Sequence, residues 1–256
     1  MVIPGWGPQL KTDPQFLLTL LQIQDADLAL HRILARRDAL PEAKRARELA
    51  AAAVAARDQA VLRRTEASDL QREVAKLEEE IDKVRTRAKR DGELLASGKD
   101  VSARQLTELQ HEIGSLERRQ ADLEDVELEL LEQAETAEAA LREAERQRDE
   151  ASGAAEAAKL EAEDAMRALA EEHRATTARR AELSGGVPAD LLALYEKIRK
   201  DHGGIGAAEF VGDQCGACRL QMIPSELAEV KAAPPDEVLR CEECRRILVR
   251  TAMLRQ

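Results

Sequence analysis

The clearest hydrophobic pattern in the chain lies between residues 106 and 144. Leu106, Leu109, Ile113, Leu116, Gln120, Leu123, Glu127, Leu130, Ala134, Ala137, Leu141 and Ala144 recur in alternating steps of three and four. This heptad seam predicts a long helix with a partner along one stripe. An earlier segment answers it with Leu70, Val74, Leu77, Ile81 and Val84. That seam continues backwards through Ala67, Arg63, Ala60, Ala56, Ala53 and Leu49. The first helical stretch starts at Thr12-Asp13-Pro14-Gln15, where Asp13 can cap, Pro14 suits the first helical position, and Thr12 with Gln15 has capping-box spacing. The pattern runs to about Leu95, interrupted at Pro41, and Ala96 to Val101 breaks it. Ser102 with Gln105 three positions on marks a new start.

A short break between two such helices predicts an antiparallel hairpin over 13–184, with its tip near 96–102 and a tail at 1–12. A tip centred on Ser97 makes facing residue numbers sum to about 194. Ile81 then meets Ile113, Arg63 falls beside Glu127, and Pro41 stands opposite Gly153. Either Arg63 and Glu127 pair, or both turn outward. Two helix breakers at one level predict a kink at 41/153. Arms of this length make a rod of roughly 120 Å.

Ser184-Gly185-Gly186-Val187-Pro188 ends the second arm, and residues 185–256 form a separate module. Pro188 opens a short helix to about Lys200 that carries Tyr195. Strands are expected at 205–211, 237–240 and 246–250, with a helical turn or two at 225–231. The fold class is therefore mainly α: a long antiparallel coiled-coil hairpin with a small C-terminal β module.

Composition agrees. Charged residues make up 35% and aromatics 2%, too few aromatics for one large globular core. No apolar run is long enough to span a bilayer, and no secretion signal is visible at the start, so a cytoplasmic protein without membrane contact is expected. The net charge of -11 is uneven. Residues 185–256 hold ten Lys and Arg against eleven Asp and Glu, leaving -10 of it in residues 1–184. The helical part repels a phosphate backbone. The last thirteen residues carry Arg245, Arg246, Arg250 and Arg255, a tail that could lie against an acidic stretch such as Glu124 to Glu132.

The chemistry sits in four cysteines. Cys215-Gly-Ala-Cys218 and Cys241-Glu-Glu-Cys244 are two Cys-x-x-Cys pairs with 22 residues between them. That spacing is a tetrahedral metal-site signature, with Zn²⁺ expected and rubredoxin-type iron the rival ion. Four thiolates fill the zinc tetrahedron and leave no open position, so one structural ion is predicted. No thiol lies outside the pattern, as in a reducing compartment. His31, His111 and His173 fall on helical stretches. With no phosphate loop and no nucleophile–base constellation, no enzyme activity is expected.

A long coiled-coil hairpin followed by this ribbon resembles the bacterial C4-type zinc-ribbon family of coiled-coil proteins. Leu94 to Lys99 with Gln105 to Ile113 is similar to the family's tip and second-helix start. Ser115 to Asp125 resembles its actinobacterial branch, and Leu194-Tyr195-Glu196-Lys197-Ile198-Arg199 precedes the ribbon as in the family. One position departs: the family often places Gly after the last cysteine, where this chain has Arg245, and Arg219 follows the first pair. Arginine takes the left-handed conformation only at a cost. Relatives in flagellated and chlamydial bacteria are described as partners of an alternative sigma factor, and one as an RNA-binding regulator. Actinobacterial lineages generally lack that sigma factor, so the resemblance implies architecture rather than that role.

Two functions follow. One is a non-enzymatic zinc-binding adaptor or scaffold that contacts proteins through the coiled coil. The other is an RNA- or DNA-binding, transcription-associated regulator acting through the ribbon. Candidate contact residues are Lys197, Arg199, Lys200, Arg219, Arg245, Arg246 and Arg250. Because the seam is filled within one chain, a monomer is expected.

Overall fold

The computed structural model describes residues 10–98 and 102–254. Residues 1–9 of the expected tail, Lys99 to Val101 at the tip, and Arg255 lie outside that range. Three helices form the hairpin: α1 (Pro14–Asp38), α2 (Pro41–Ser97) and α3 (Ala103–Gly185). The remainder follows as α4 (Ala189–Asp201), β1 (Ala207–Val211), β2 (Gln214–Cys215), α5 (Pro224–Ala232), β3 (Leu239–Arg240), β4 (Ile247–Val249) and α6 (Thr251–Leu254). The chain divides into two compact units. One covers Glu42–Ala162; the other joins the residues up to Pro41 to those from Glu163 onward.

In the 42–162 unit, the buried residues of α2 are Ala60, Ala67, Val74 and Ile81, one per heptad. On α3 the buried positions are Leu123, Ala134, Ala144 and Ala158. Small residues dominate, so little side-chain volume lies in the seam. Polar pairs flanking this seam fix the register. Arg64–Glu145, Gln71–Glu138 and Arg85–Glu124 have residue numbers adding to 209. Arg87–Glu112, on the opposite flank of α2, adds to 199. The seam between them therefore runs at about 204.

That corrects the expected value of about 194. Ile81 lies level with buried Leu123, not with half-buried Ile113. Arg63 pairs with Glu66 on its own helix at 2.8 Å instead of with Glu127. Gly153 stands level with Ala51, and α3 runs through it unbroken. The cause is at the tip. Ala96 and Ser97 stay helical, and the reversal begins at Gly98, whose φ of 56° is left-handed. Ser102 then caps α3: its N–H donates to Gln105 Oε1 (2.8 Å), and its Oγ accepts from the Gln105 N–H (3.3 Å). At the first start, Asp13 Oδ1 accepts from the Gln15 N–H at 2.9 Å, so Asp13 is the cap. Thr12 Oγ1 is buried with no hydrogen-bond partner among the described residues. The first arm breaks after Asp38, and Pro41 opens α2, where its missing N–H costs nothing.

The other unit is built on a four-stranded sheet of order β2-β1-β4-β3. β1 and β4 pair in parallel, while the outer pairs are antiparallel. Leu10 to Thr12 join the far edge: the Val238 N–H donates to Leu10 O (3.0 Å) and the Thr12 N–H to Asp236 O (2.8 Å). Successive strand residues face opposite sides. Ala207, Ile247 and Val249 cluster with Leu17, Leu20 and Ile23 of α1 and Leu191, Tyr195 and Ile198 of α4. Ala208, Phe210 and Leu248 cluster with Cys215, Cys241, Leu239 and Val230. β4 is thus buried on both faces, which is why it reads Ile-Leu-Val without alternation. Each large aliphatic side chain buried here contributes about 1.5–3 kcal/mol. The ribbon and the foot of the hairpin share one core.

Candidate metal centre

Each Cys-x-x-Cys pair sits on a tight turn. The Arg219 N–H donates to Cys215 O, and the Arg245 N–H to Cys241 O, both at 2.8 Å. These turns require a left-handed residue after the second cysteine. Arg219 and Arg245, each at φ 60°, are the non-glycine residues with positive φ among those described. The departure from glycine noted in the sequence is therefore a real backbone cost, on the order of 1 kcal/mol each.

The four sulfurs converge. Cys215 Sγ and Cys244 Sγ are 3.8 Å apart, Cys218 Sγ and Cys241 Sγ 3.9 Å, and all four lie within 4.8 Å of one another. A tetrahedron with Zn–S bonds of about 2.3 Å has S–S edges of about 3.8 Å. The donor set fits the ion, and the four cysteines hold one structural Zn²⁺. Bound there, zinc supplies folding free energy, and it leaves no coordination position for water or substrate. Burial pushes the Cys215 and Cys241 thiols up. Burial also works against ionisation of Cys244, but hydrogen bonds from Arg246, Cys241 and Cys215 together outweigh it and draw that thiol down. Arg246 does more than this. Its guanidinium also donates to His202 O (2.8 Å) and Ile205 O (3.0 Å), tying the second knuckle to the loop before β1.

That loop is held from its other side by a polar cluster that the sequence reading missed. Gln24 Oε1 accepts from the Gly206 N–H (2.7 Å) and the Ala207 N–H (3.3 Å), and its Nε2 donates to Gly204 O (3.0 Å). Asp27, 3% exposed, accepts from the Tyr195 hydroxyl (2.7 Å) and from Arg180 Nε (2.7 Å), with Arg199 at 3.5 Å. Glu196 takes the other ends of both arginines. A signal was available: Leu17, Leu20, Gln24 and Asp27 are spaced three, four and three, so two polar residues occupy the buried stripe of α1. Gly206 is required by close approach, because a Cβ there would lie 2.7 Å from the Tyr195 ring.

The seven candidate contact cations divide sharply. Arg199 is engaged with Asp27 and Glu196, and Arg246 with the two loop carbonyls. Arg250 is 4% exposed and donates to Val230 O (3.0 Å), Ala233 O (2.6 Å) and Pro234 O (2.5 Å). It is a clamp inside the ribbon and is not available to a partner. Arg246 and Arg250 are thus both engaged within the ribbon and the loop before it. Lys197, Lys200, Arg219 and Arg245 are exposed. No described helix is long and apolar enough to cross a membrane.

Comparison with known proteins agrees with this anatomy. A CT398-like coiled coil hairpin domain matches residues 23–203, and a C4-type zinc ribbon domain matches residues 214–248. An uncharacterised protein of Mycobacterium tuberculosis is 38% identical over 232 residues, covering 91% of this chain and 94% of its own. An uncharacterised Mycobacterium leprae protein is 31% identical over 85% of this chain and 93% of its own. A solved structure from Mycobacterium smegmatis, 36% identical, superimposes with a TM-score of 0.80 over 94% of this chain and all of that one. CT398 from Chlamydia trachomatis shares the fold at a TM-score of 0.61 and 18% identity, over 91% of this chain and 97% of that one. The chain belongs to the family of CT398-like coiled-coil hairpin proteins ending in a C4-type zinc ribbon, with mycobacterial relatives.

Proposed function

We propose that the chain is a non-enzymatic, zinc-folded coiled-coil adaptor that binds a protein partner along its helical arms. The observation that carries this reading is the distribution of exposed apolar side chains. Val54, Val61, Leu62, Val126, Leu128 and Leu131 all remain exposed in the 42–162 unit, beside a seam already filled by its own residues. Val54 and Val61 are one heptad apart, the spacing a further helix reads. In this reading the zinc folds the ribbon onto the foot of the hairpin, and the chain acts as a monomer. A cytoplasmic location accords with a site that needs four reduced thiols.

The test is capture from host lysate by the full-length protein, with cross-linking to map contacts. Removing residues 185–256 is unsuitable, since it would strip Leu17, Leu20 and Ile23 of their core. Paired substitutions serve instead: Val54→Glu with Val61→Glu, and Leu128→Glu with Leu131→Glu. A nuclease-resistant partner that cross-links to the arms and is lost with either pair supports the adaptor. Partners that map to the ribbon and ignore both pairs would sink it.

The second reading, nucleic-acid binding through the ribbon, is favoured by the exposure of Lys197, Lys200, Arg219 and Arg245. It requires RNA or DNA binding that falls steeply with salt and with reversal of those four charges.

A further inference from the structure

We propose that a notch between α1 and α4 is a binding site for the phosphate group of a phosphomonoester. The cavity, about 730 Å³, is lined by His31, Glu196, Lys197, Arg199, Lys200, Gly203 and Gly204. Four side chains capable of positive charge converge on it from two helices. Lys197 and Lys200 have no carboxylate partner among the described residues, and the His31 ring has no hydrogen-bond partner among them. The single carboxylate in the lining, Glu196, has one oxygen on Arg180 and the other on Arg199. Its charge is already matched, so the outward-facing donors are left in cationic excess in a chain of net charge -11.

The backbone is shaped to this end. Gly203 and Gly204 turn the chain after α4 at φ 66° and 90°. A Cβ on Gly204 would lie 2.5 Å from His31 Cε1, so only glycine lets the imidazole lie against the corner of the notch. The cations of the last α4 turn also complement that helix's C-terminal dipole. The dipole accounts for neither His31, which comes from another helix, nor the cavity.

The lining contains no Phe, Tyr or Trp and only the small His31 ring for a base to stack on, so the phosphate itself is what the site recognises. Two lysines one turn apart on α4, with Arg199 beside them and His31 entering from α1, suit a terminal phosphate with three free oxygens. The volume exceeds that of one phosphate and admits the group that carries it. That group could be a free nucleotide or the 5′ end of a nucleic-acid strand. The proposal stands apart from the adaptor reading, which rests on the arms.

The test is amide and imidazole NMR on the full-length zinc-loaded protein, titrated with inorganic phosphate, AMP, and one RNA oligonucleotide carrying either a 5′-phosphate or a 5′-hydroxyl. Saturable shifts at Gly203, Gly204 and His31 are expected with phosphate. Lys197→Gln with Lys200→Gln should weaken binding about tenfold or more, with zinc content and Tm unchanged. His31→Ala should weaken it about threefold. Tighter binding of AMP than phosphate identifies a small ligand. Binding of the 5′-phosphate RNA with silence of its 5′-hydroxyl counterpart identifies a strand end. Shifts that never saturate, that spread over all exposed cations, or that survive the double substitution overturn the proposal.

Discussion

The hydroxyl of Tyr195 donates a 2.7 Å hydrogen bond to Oδ2 of Asp27, joining α4 to α1 across 168 residues of sequence. Neither group reaches bulk water. Tyr195 is fully buried, and the Asp27 side chain is 2% exposed. The bond lies where the zinc ribbon, the short helix and the hairpin foot meet, so it reports on the whole junction.

Burial, reinforced by the bond to Asp27, raises the Tyr195 phenol above its ordinary range. A raised folded-state pKa means the stability it contributes is complete below the unfolded value near 10 and is lost as pH rises above it. The loss amounts to at most about 1.4 kcal/mol per pH unit. Tyr195 is the single tyrosine of the chain, so the pH-dependent rise in absorbance at 295 nm, to which the one Trp adds only a constant background, reads its ionisation. The phenolate signal should appear together with alkaline unfolding. Simple titration near pH 10 in a folded protein would contradict the burial.

Asp27→Asn keeps the shape but leaves Arg180 and Arg199 facing a neutral amide. Removing one partner of a buried, hydrogen-bonded ion pair costs roughly 3–5 kcal/mol, less here because both arginines are partly exposed. Urea denaturation should show a loss of about 2 kcal/mol or more, while Tyr195→Phe should cost about 1–3 kcal/mol. If both changes left the midpoint in place, Asp27 would not be the organising residue of the junction.

Removing zinc should unfold the ribbon, which loses on the order of 10 kcal/mol of metal binding at neutral pH. Because β1 and β4 share their other face with α1 and α4, the effect should reach the hairpin foot. Hydrogen exchange after chelation should accelerate at residues 207–211 and 247–249 and along Leu17 to Ile23. Amides of the seam from Ala60 to Ile81 should keep their protection, having a core of their own. Uniform acceleration along the chain would show that the two units do not unfold separately.

Arg219→Gly and Arg245→Gly should each slow zinc release, since glycine relieves about 1 kcal/mol of left-handed strain. Loss of a cation beside the doubly negative zinc–thiolate centre works in the opposite direction and is smaller at these exposed positions. Zinc transfer to a chromophoric chelator measures the outcome. Faster release from both variants would mean that the cations matter more than the backbone.

Arg250→Met should behave differently from its neighbours in the basic tail. It leaves the carbonyls of Val230, Ala233 and Pro234 without their donor, at a cost of about 1–3 kcal/mol. Thermal melting should drop by several degrees, whereas Arg245→Gly should not lower it. Equal melting of the two variants would remove the distinction between clamp and surface cation.

Features set by local chemistry were legible in the chain. The heptad steps fixed which stripe of each arm is buried, down to Ala60, Ala67, Val74 and Ile81. The Ser102–Gln105 spacing located the start of α3, and Cys-x-x-Cys twice marked a closed four-thiolate site, with zinc the expected ion and iron its rival. Even the strain at Arg219 and Arg245 followed from the residue after each pair. The short strand β2, the helix α6 and the pairing of Leu10 to Thr12 with the sheet edge gave no comparable signal, being a few residues long and held only by their neighbours.

What local pattern does not encode is which distant segments meet. A heptad seam repeats, so sliding one arm past the other preserves its stripe. The offset of ten in the sum was therefore decided by Gly98 at the tip and by ion pairs such as Arg85–Glu124. Parallel pairing of β1 with β4 brings together segments 40 residues apart. Whether an arginine is a surface charge or a buried clamp depends on the carbonyls around it, so the sequence alone made Arg250 and Arg245 look alike. Composition and spacing determined that this is a zinc-ended helical hairpin. Only long-range packing decided that its ribbon is fastened to its foot through Gln24, Asp27 and Tyr195, because a buried polar group is stable only where its partners converge.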